Sequence, residues 1–270
     1  MDQTTRLQRP ANKPATHIGL LLPLQRLPLP QDHPGAPIML RKNDEQWLRD
    51  NHPGLIPAEN GVAGTLEFVA SYNEQGNTFA IHADGVTDQE GAVALTASFT
   101  IRIEERTGRS TSRLPALYVQ GIDPTDDRHF NQQDKSACLC IPFEEDEFFQ
   151  PEFQFRVFFE HLVIPFLYGQ SFYASRGRWP WTEYAHGATG ILEAYSKICD
   201  QNRATECLHL LAQDRVWPRI KAALRQNPQI KGHTPCFCPK MDHIRRCHPG
   251  ALKGVLRLQQ DLNALGLPIP

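Results

Sequence analysis

Residues 92–104 read AVALTASFTIRIE. Leu95, Ala97, Phe99, Ile101 and Ile103 alternate with small or polar residues, the period of two expected of a strand buried on one face. Weaker versions of the signal run over residues 64–72, 78–82 and 117–121, separated by Gly, Asn and Asp turns. Four successive strands with short connections predict an antiparallel meander rather than a doubly wound parallel sheet.

Toward the N-terminus, residues 43–51 fit a short helix capped by Asn43 or Asp44, with Trp47 and Leu48 facing inward; His52-Pro53-Gly54 ends it. Before it, GLLLPLQRLPLP alternates leucine with proline, and proline confines such a run to extended geometry. Residues 1–42 therefore read as an extended arm.

Toward the C-terminus, the pattern turns helical. The acidic run Glu144 to Glu147 reads as a solvated turn, and Phe155, Phe158, Phe159, Leu162 and Phe166 then recur at helical spacing. Pro165 should kink or stop that helix near Val163 or Ile164. Residues 168–187, YGQSFYASRGRWPWTEYAHG, read as a loop that packs its own rings on the core, with Tyr184 and His186 able to return past the sheet. Helices are expected at about 188–202, 204–213, 217–226 and 250–266, with Cys199 and Cys207 on apolar stripes as core residues. The expected class is α+β, an antiparallel sheet packed on helices, followed by further helices and a small zinc-binding module.

At 270 residues the chain can hold one sizeable domain and an appendage. Its net charge of -2 gives no global attraction to nucleic acid or anionic lipid. The N-terminal stretch is polar and does not read as a secretory signal, and no window reaches the length of a membrane span, which predicts a cytoplasmic protein. Seven cysteines, an odd number, fit catalysis or metal ligation better than a disulfide framework.

Two of them lie in residues 129–142, HFNQQDKSACLCIP. Cys138 and Cys140 alternate with Ala137, Leu139 and Ile141 and can be read as small buried residues of an extended segment. They can equally be read as a reactive thiol beside a polar shelf of His129 and Asn131, because a thiolate is a strong nucleophile near neutral pH. Strand alternation puts Cys138 and Cys140 on the same face and does not choose between them.

The order HFN, polar turn, Cys-Leu resembles the active-site signature of ubiquitin-conjugating enzymes, with Phe130 in place of the usual proline and a spacer one residue shorter. Shortened turns are similar to those of the bacterial members of that superfamily, as is the aromatic stretch ending in HGATGILEAY. The resemblance covers residues 43–200 and implies an antiparallel sheet followed by a principal helix after the cysteine. It further implies that Cys138 carries a ubiquitin-like protein as a thioester, received from an activating enzyme and passed to an amine of a target protein. Asn131 would then stabilise the oxyanion, His129 would hold the shelf, and Asp134 would orient or deprotonate the amine or cap the turn. Cys140 is the alternative nucleophile. Relatives in this superfamily often sit in antiphage defence loci, so a defence role is an expectation of the resemblance alone. Other readings are a non-catalytic adaptor of the same fold and a Cys-His hydrolase pairing Cys138 with His129 or His186.

Residues 232–250, GHTPCFCPKMDHIRRCHPG, hold the second motif. Cys236, Cys238, Cys247 and His248 supply three thiols and an imidazole in one short hairpin, a closed tetrahedral set that suits structural zinc. His243 could replace His248 as the fourth ligand. The spacing resembles the zinc-binding tail of the SecA translocation ATPase, with Pro239, Lys240 and Met241 replacing its usual Gly-Ser-Gly. The domains expected are thus an arm over residues 1–42, a catalytic domain with a helical extension over 43–228, and a zinc module with a terminal helix over 229–270.

Overall fold

The computed structural model describes residues 40–82, 91–106, 112–131, 133–149, 151–198 and 200–270. The expected arm lies almost wholly outside these residues, and so does Cys199. The chain is α+β, with a five-stranded antiparallel sheet followed by helices.

Two long strands form the spine. β2 (Gly61–Asn73) pairs with β4 (Ala92–Glu104) along its whole length, from Gly61 opposite Glu104 to Asn73 opposite Ala92. β5 (Ala116–Val119) lies on the far side of β4. The other edge of β2 is shared: β1 (Leu55–Ala58) pairs with Gly61–Gly64, and β3 (Thr78–Ile81) with Ala70–Asn73. β3 and β4 therefore flank β2 instead of neighbouring each other, and the expected simple meander gives way to a crossing between them. Period-two alternation specifies which face a side chain takes, not which strand lies beside it.

That alternation decides the layering. Leu66, Phe68, Ala70, Ile101, Ile103 and Leu117 are buried on the inner face, while Thr65, Glu67, Thr96, Ser98 and Thr100 face outward and are exposed. One face packs on helices and the other meets solvent. α1 (Lys42–Asn51) begins one residue earlier than expected, with Arg41 as its N-cap and the Asp44 carboxylate accepting from the Arg41 backbone N–H at 3.1 Å. Leu48 is fully buried, and Trp47 sets its ring edge-on to Phe159 at 5.5 Å.

The phenylalanine run forms one continuous helical rod: α2 (Phe155–Phe158), a π-helical turn (Phe159–Val163) and α3 (Ile164–Arg176). Pro165 does not stop it. The widened π turn lies just where proline's missing N–H and bulky ring would disturb an α-helical ladder, so the rod continues to Gly177, whose φ of 66° closes it. The first half of the expected aromatic loop is therefore helix. The remainder folds back on the rod at Gly169, where an added Cβ would stand 2.7 Å from the Trp179 ring.

A second core gathers α4 (Gly187–Tyr195), α5 (Ala204–Ala212), α6 (Trp217–Arg225), α7 (Ile244–Cys247) and α8 (Pro249–Leu265). Cys207 is buried in it, as expected. α8 lies against α4 with no side chain between them at Gly254, and the Tyr195 hydroxyl donates to the Asp261 carboxylate at 2.7 Å. The buried Gln259 amide donates to the carbonyls of Leu224 and Gln226, tying α8 to the end of α6. Cys236, Phe237 and Ile244 belong to the same core, so the Cys/His hairpin and the helices share one interior.

The acidic run is not wholly solvated. Residues Pro142–Phe148 form a 3-10 turn in which Glu145 is only 2 % exposed. Its carboxylate accepts the Arg113 backbone N–H at 2.8 Å, and burial pushes its pKa up despite the Arg113 and Arg106 charges.

Candidate thiol site and candidate metal centre

The stretch from His129 folds back on itself as a small antiparallel pair. Phe130 bridges Ala137, the Cys138 N–H donates to the His129 carbonyl at 2.7 Å, and the Asn131 N–H donates to the Ser136 carbonyl at 2.8 Å. The Ala137 N–H donates to the Leu117 carbonyl at 2.8 Å, which ties the pair to β5. Phe130 and Ala137 are buried in the first core. Extended geometry then turns Asn131, Ser136 and Cys138 toward the opposite face.

The turn between the arms is clamped by polar contacts. Asp134 accepts from the Ser136 N–H at 3.0 Å and the Ser136 hydroxyl at 2.8 Å, and Arg106 donates to Asp134 at 2.7 Å and to Ser136 Oγ at 3.1 Å. Burial alone would raise the Asp134 pKa, but the Ser136 hydrogen bonds and the Arg106 guanidinium hold it below the ordinary range. As a proton acceptor Asp134 is thereby weakened, and turn-capping is the role its contacts describe. The Asn131 side-chain amide donates to Ser136 Oγ at 3.0 Å and to the Ala137 carbonyl at 3.5 Å.

His129 takes a left-handed backbone conformation, φ 56°, which turns its ring away from simple strand alternation. The ring lies edge-on to Trp179 at 4.6 Å and beside His186 at 4.8 Å. Burial first, and then the His186 charge, push its pKa down to about 4, so it is neutral at pH 7 and poorly suited to take a proton. Of the two aromatic-loop residues, His186 reaches this site, whereas Tyr184 packs against the second core beneath Lys197. Cys138 and Cys140 are both half-buried, and Cys140 packs against the first core.

Arg106 and Trp179 are the participants that sequence reasoning missed. Arg106 stands 28 residues from Asp134, and no spacing rule links a strand end to a later turn. Partial burial also pushes the carboxyl of Glu183, in the loop between the rod and α4, up to about 7, and nothing in its sequence surroundings signalled that.

The candidate metal site is assembled by the hairpin and the residue that precedes α8. Pro235 bridges His243, the Cys236 N–H donates to the Asp242 carbonyl at 2.7 Å, and the Met241 N–H donates to the Cys238 carbonyl at 3.2 Å. α7 then brings Cys247 and His248 back to the first two cysteines. The Cys236, Cys238 and Cys247 sulfurs and a His248 ring nitrogen all lie within 4.8 Å of one another. Cys236 Sγ is 3.2 Å from His248 Nδ1, and the Cys238 and Cys247 sulfurs are 3.4 Å apart. Tetrahedral ligands at zinc-sulfur distance stand about 3.8 Å apart, so the set has the size needed to hold a metal ion. Burial and the Cys238 and Cys236 sulfurs push the Cys247 thiol up to about 12, a crowding that a bound cation would relieve. His248 completes the cluster, and His243 is exposed beside it.

Arg219 braces this hairpin from α6, donating to the carbonyls of Cys236 at 2.5 Å and Phe237 at 3.4 Å. Among the described residues no helix is long and apolar enough to cross a membrane. No protein-family profile, curated protein or solved structure matches the chain.

Proposed function

We propose that the chain is a ubiquitin-conjugating-like acyltransferase with a structural zinc centre. The observation that carries this reading is the paired segment itself. By strand alternation its pairing puts Asn131 and Cys138 on the same side of the segment, which lies in the chain between β5 and the long helical rod. Cys138 receives the C-terminal carboxyl of a ubiquitin-like protein from an activating enzyme as a thioester, with the activating enzyme's own sulfur leaving. The amine of a target protein then adds to the thioester carbonyl, the Cys138 sulfur leaves, and an amide forms.

Within this reading, Asn131 exchanges its contact with Ser136 Oγ for the oxyanion of the adding amine, a role worth about 3 kcal/mol in acyl transfer. Neutral His129, held between Trp179 and His186, positions the turn and does not act as the base. Cys140, packed against the first core, is the weaker candidate for the nucleophile. Zinc suits the Cys236, Cys238, Cys247 and His248 set because three thiolates and one imidazole close its coordination and leave no open position for catalysis.

The test is incubation with an activating enzyme and ubiquitin-like proteins encoded beside the gene. A reductant-sensitive adduct that is lost in Cys138→Ala supports the reading. Retention of the adduct in Cys138→Ala, with loss in Cys140→Ala, assigns the nucleophile to Cys140.

A second reading, a non-catalytic adaptor, is favoured by one specific contact set: the Asn131 amide, Asp134, Ser136 and Arg106 satisfy one another within the turn. On this reading Cys138 is inert, and a soluble maleimide leaves it unlabelled in the native protein.

A further inference from the structure

The charge of the chain is unevenly spread. From Arg215 to Gln260 it carries ten lysines and arginines against one acidic residue, Asp242, although the whole chain has 28 basic and 30 acidic residues. Arg225, Lys231, Lys240, Arg245, Arg246 and Lys253 are exposed. In the same region a cavity of about 510 Å³ opens between α6 and the metal hairpin. Buried Ala223, Ile230 and Phe237 supply apolar lining, and Met241, 54 % exposed, stands at its border beside Lys240. Arg219 ties the α6 wall of the groove to the hairpin carbonyls, and Arg225 stands exposed on the same wall.

We propose that this groove docks an acidic, extended peptide segment of a partner protein, with one bulky apolar side chain inserted between α6 and the hairpin. Charge complementarity favours an acidic occupant, and the apolar lining calls for an anchor that charge alone does not supply. Single-stranded nucleic acid would need exposed ring faces for stacking, whereas the groove's one aromatic ring, Phe237, is 3 % exposed. A lipid surface would need a projecting apolar cluster. The feature here is concave, and Met241 is the one large apolar side chain of its lining that stands exposed. The proposal holds whether or not Cys138 is a nucleophile.

The experiment uses the intact, metal-loaded protein and a fluorescein-labelled peptide, Asp-Glu-Glu-Leu-Phe-Glu-Asp-Glu, with anisotropy as the readout. Saturable binding is expected, weakened about tenfold or more by Lys240→Glu combined with Arg225→Glu, and likewise by Met241→Asp. Replacing Leu-Phe in the peptide by Gly-Gly should weaken it to a similar degree, while Cys138→Ala changes nothing. Unaltered metal content in each variant separates lost docking from a damaged hairpin. No binding, equal binding of the Gly-Gly peptide, tighter binding of oligothymidine or phosphatidylserine vesicles, or full binding by the metal-loaded variants each overturns the proposal.

Discussion

A methyl group added at Gly254 should damage both the second core and the proposed metal site. The new Cβ would lie 1.9 Å from the Leu192 carbonyl oxygen and 2.6 Å from its carbonyl carbon. Those atoms are helix backbone and cannot swing aside, so α8 must move from α4 by about 1.5 Å to restore ordinary contact. The shift loosens packing around Leu192, Val255 and Leu258 and strains the hydrogen bond from Tyr195 to Asp261. Overpacking costs about 3 kcal/mol and the strained bond about 1, while alanine returns about 1 through helix propensity, leaving Gly254→Ala about 3 kcal/mol less stable. Because His248 directly precedes α8, the same shift pulls a ligand from the cluster and should speed metal transfer to a chelator. Gly250→Ala is the control: its Cβ would meet the Glu193 side chain at 3.0 Å, which can yield, so the expected change is within about 1 kcal/mol. Urea denaturation followed by circular dichroism measures the first effect, and a chromophoric chelator the second. A Gly254→Ala protein as stable as the parent would refute the close crossing of α4 and α8.

Three further outcomes are expected. Cys238→Ser should remove bound metal, whereas Cys207→Ser should leave it, as read by elemental analysis of the purified proteins. Because His129 is held near 4 against an ordinary 6.5, the folded chain binds fewer protons there than the unfolded chain does. That stability is intact above pH 6.5 and is lost as pH falls toward 4, by up to about 3 kcal/mol. His129→Gln should remove this slope when each pH is compared with the parent, which keeps the opposite slope of Glu183, raised to about 7, out of the difference. Glu145→Ala should cost about 2 kcal/mol in denaturant titration by leaving the Arg113 N–H without its buried acceptor.

The parts of the fold legible in the sequence are those set by local period. AVALTASFTIRIE announced β4 and its inner face, and the phenylalanine spacing announced the helical rod. The Cys/His cluster was legible because its four side chains come from one short stretch, where spacing alone brings them together. β1 was hidden because Pro57 weakens its strand signal. The proline is tolerated there because β1 is an edge strand, pairing with β2 alone. The sheet order escaped because β3 and β4 take opposite edges of β2, a choice made by tertiary packing. Pro165 misled because one π-helical turn absorbs it, and Glu145 because a buried acceptor for a backbone N–H looks the same in sequence as a solvated glutamate. Around Cys138, the residue types were legible, but the Arg106 clamp and the Trp179 wall depend on contacts between distant segments.

The role of Cys138 is tested most directly by changing which atom holds the acyl group. With activating enzyme and modifier supplied, Cys138→Ser should convert a thiol-labile adduct into a thiol-resistant, base-labile ester, since oxygen replaces sulfur as the acyl carrier. Cys140→Ser should leave the thiol-labile adduct as it is in the parent. A thiol-labile adduct that persists unchanged in Cys138→Ser would contradict the account.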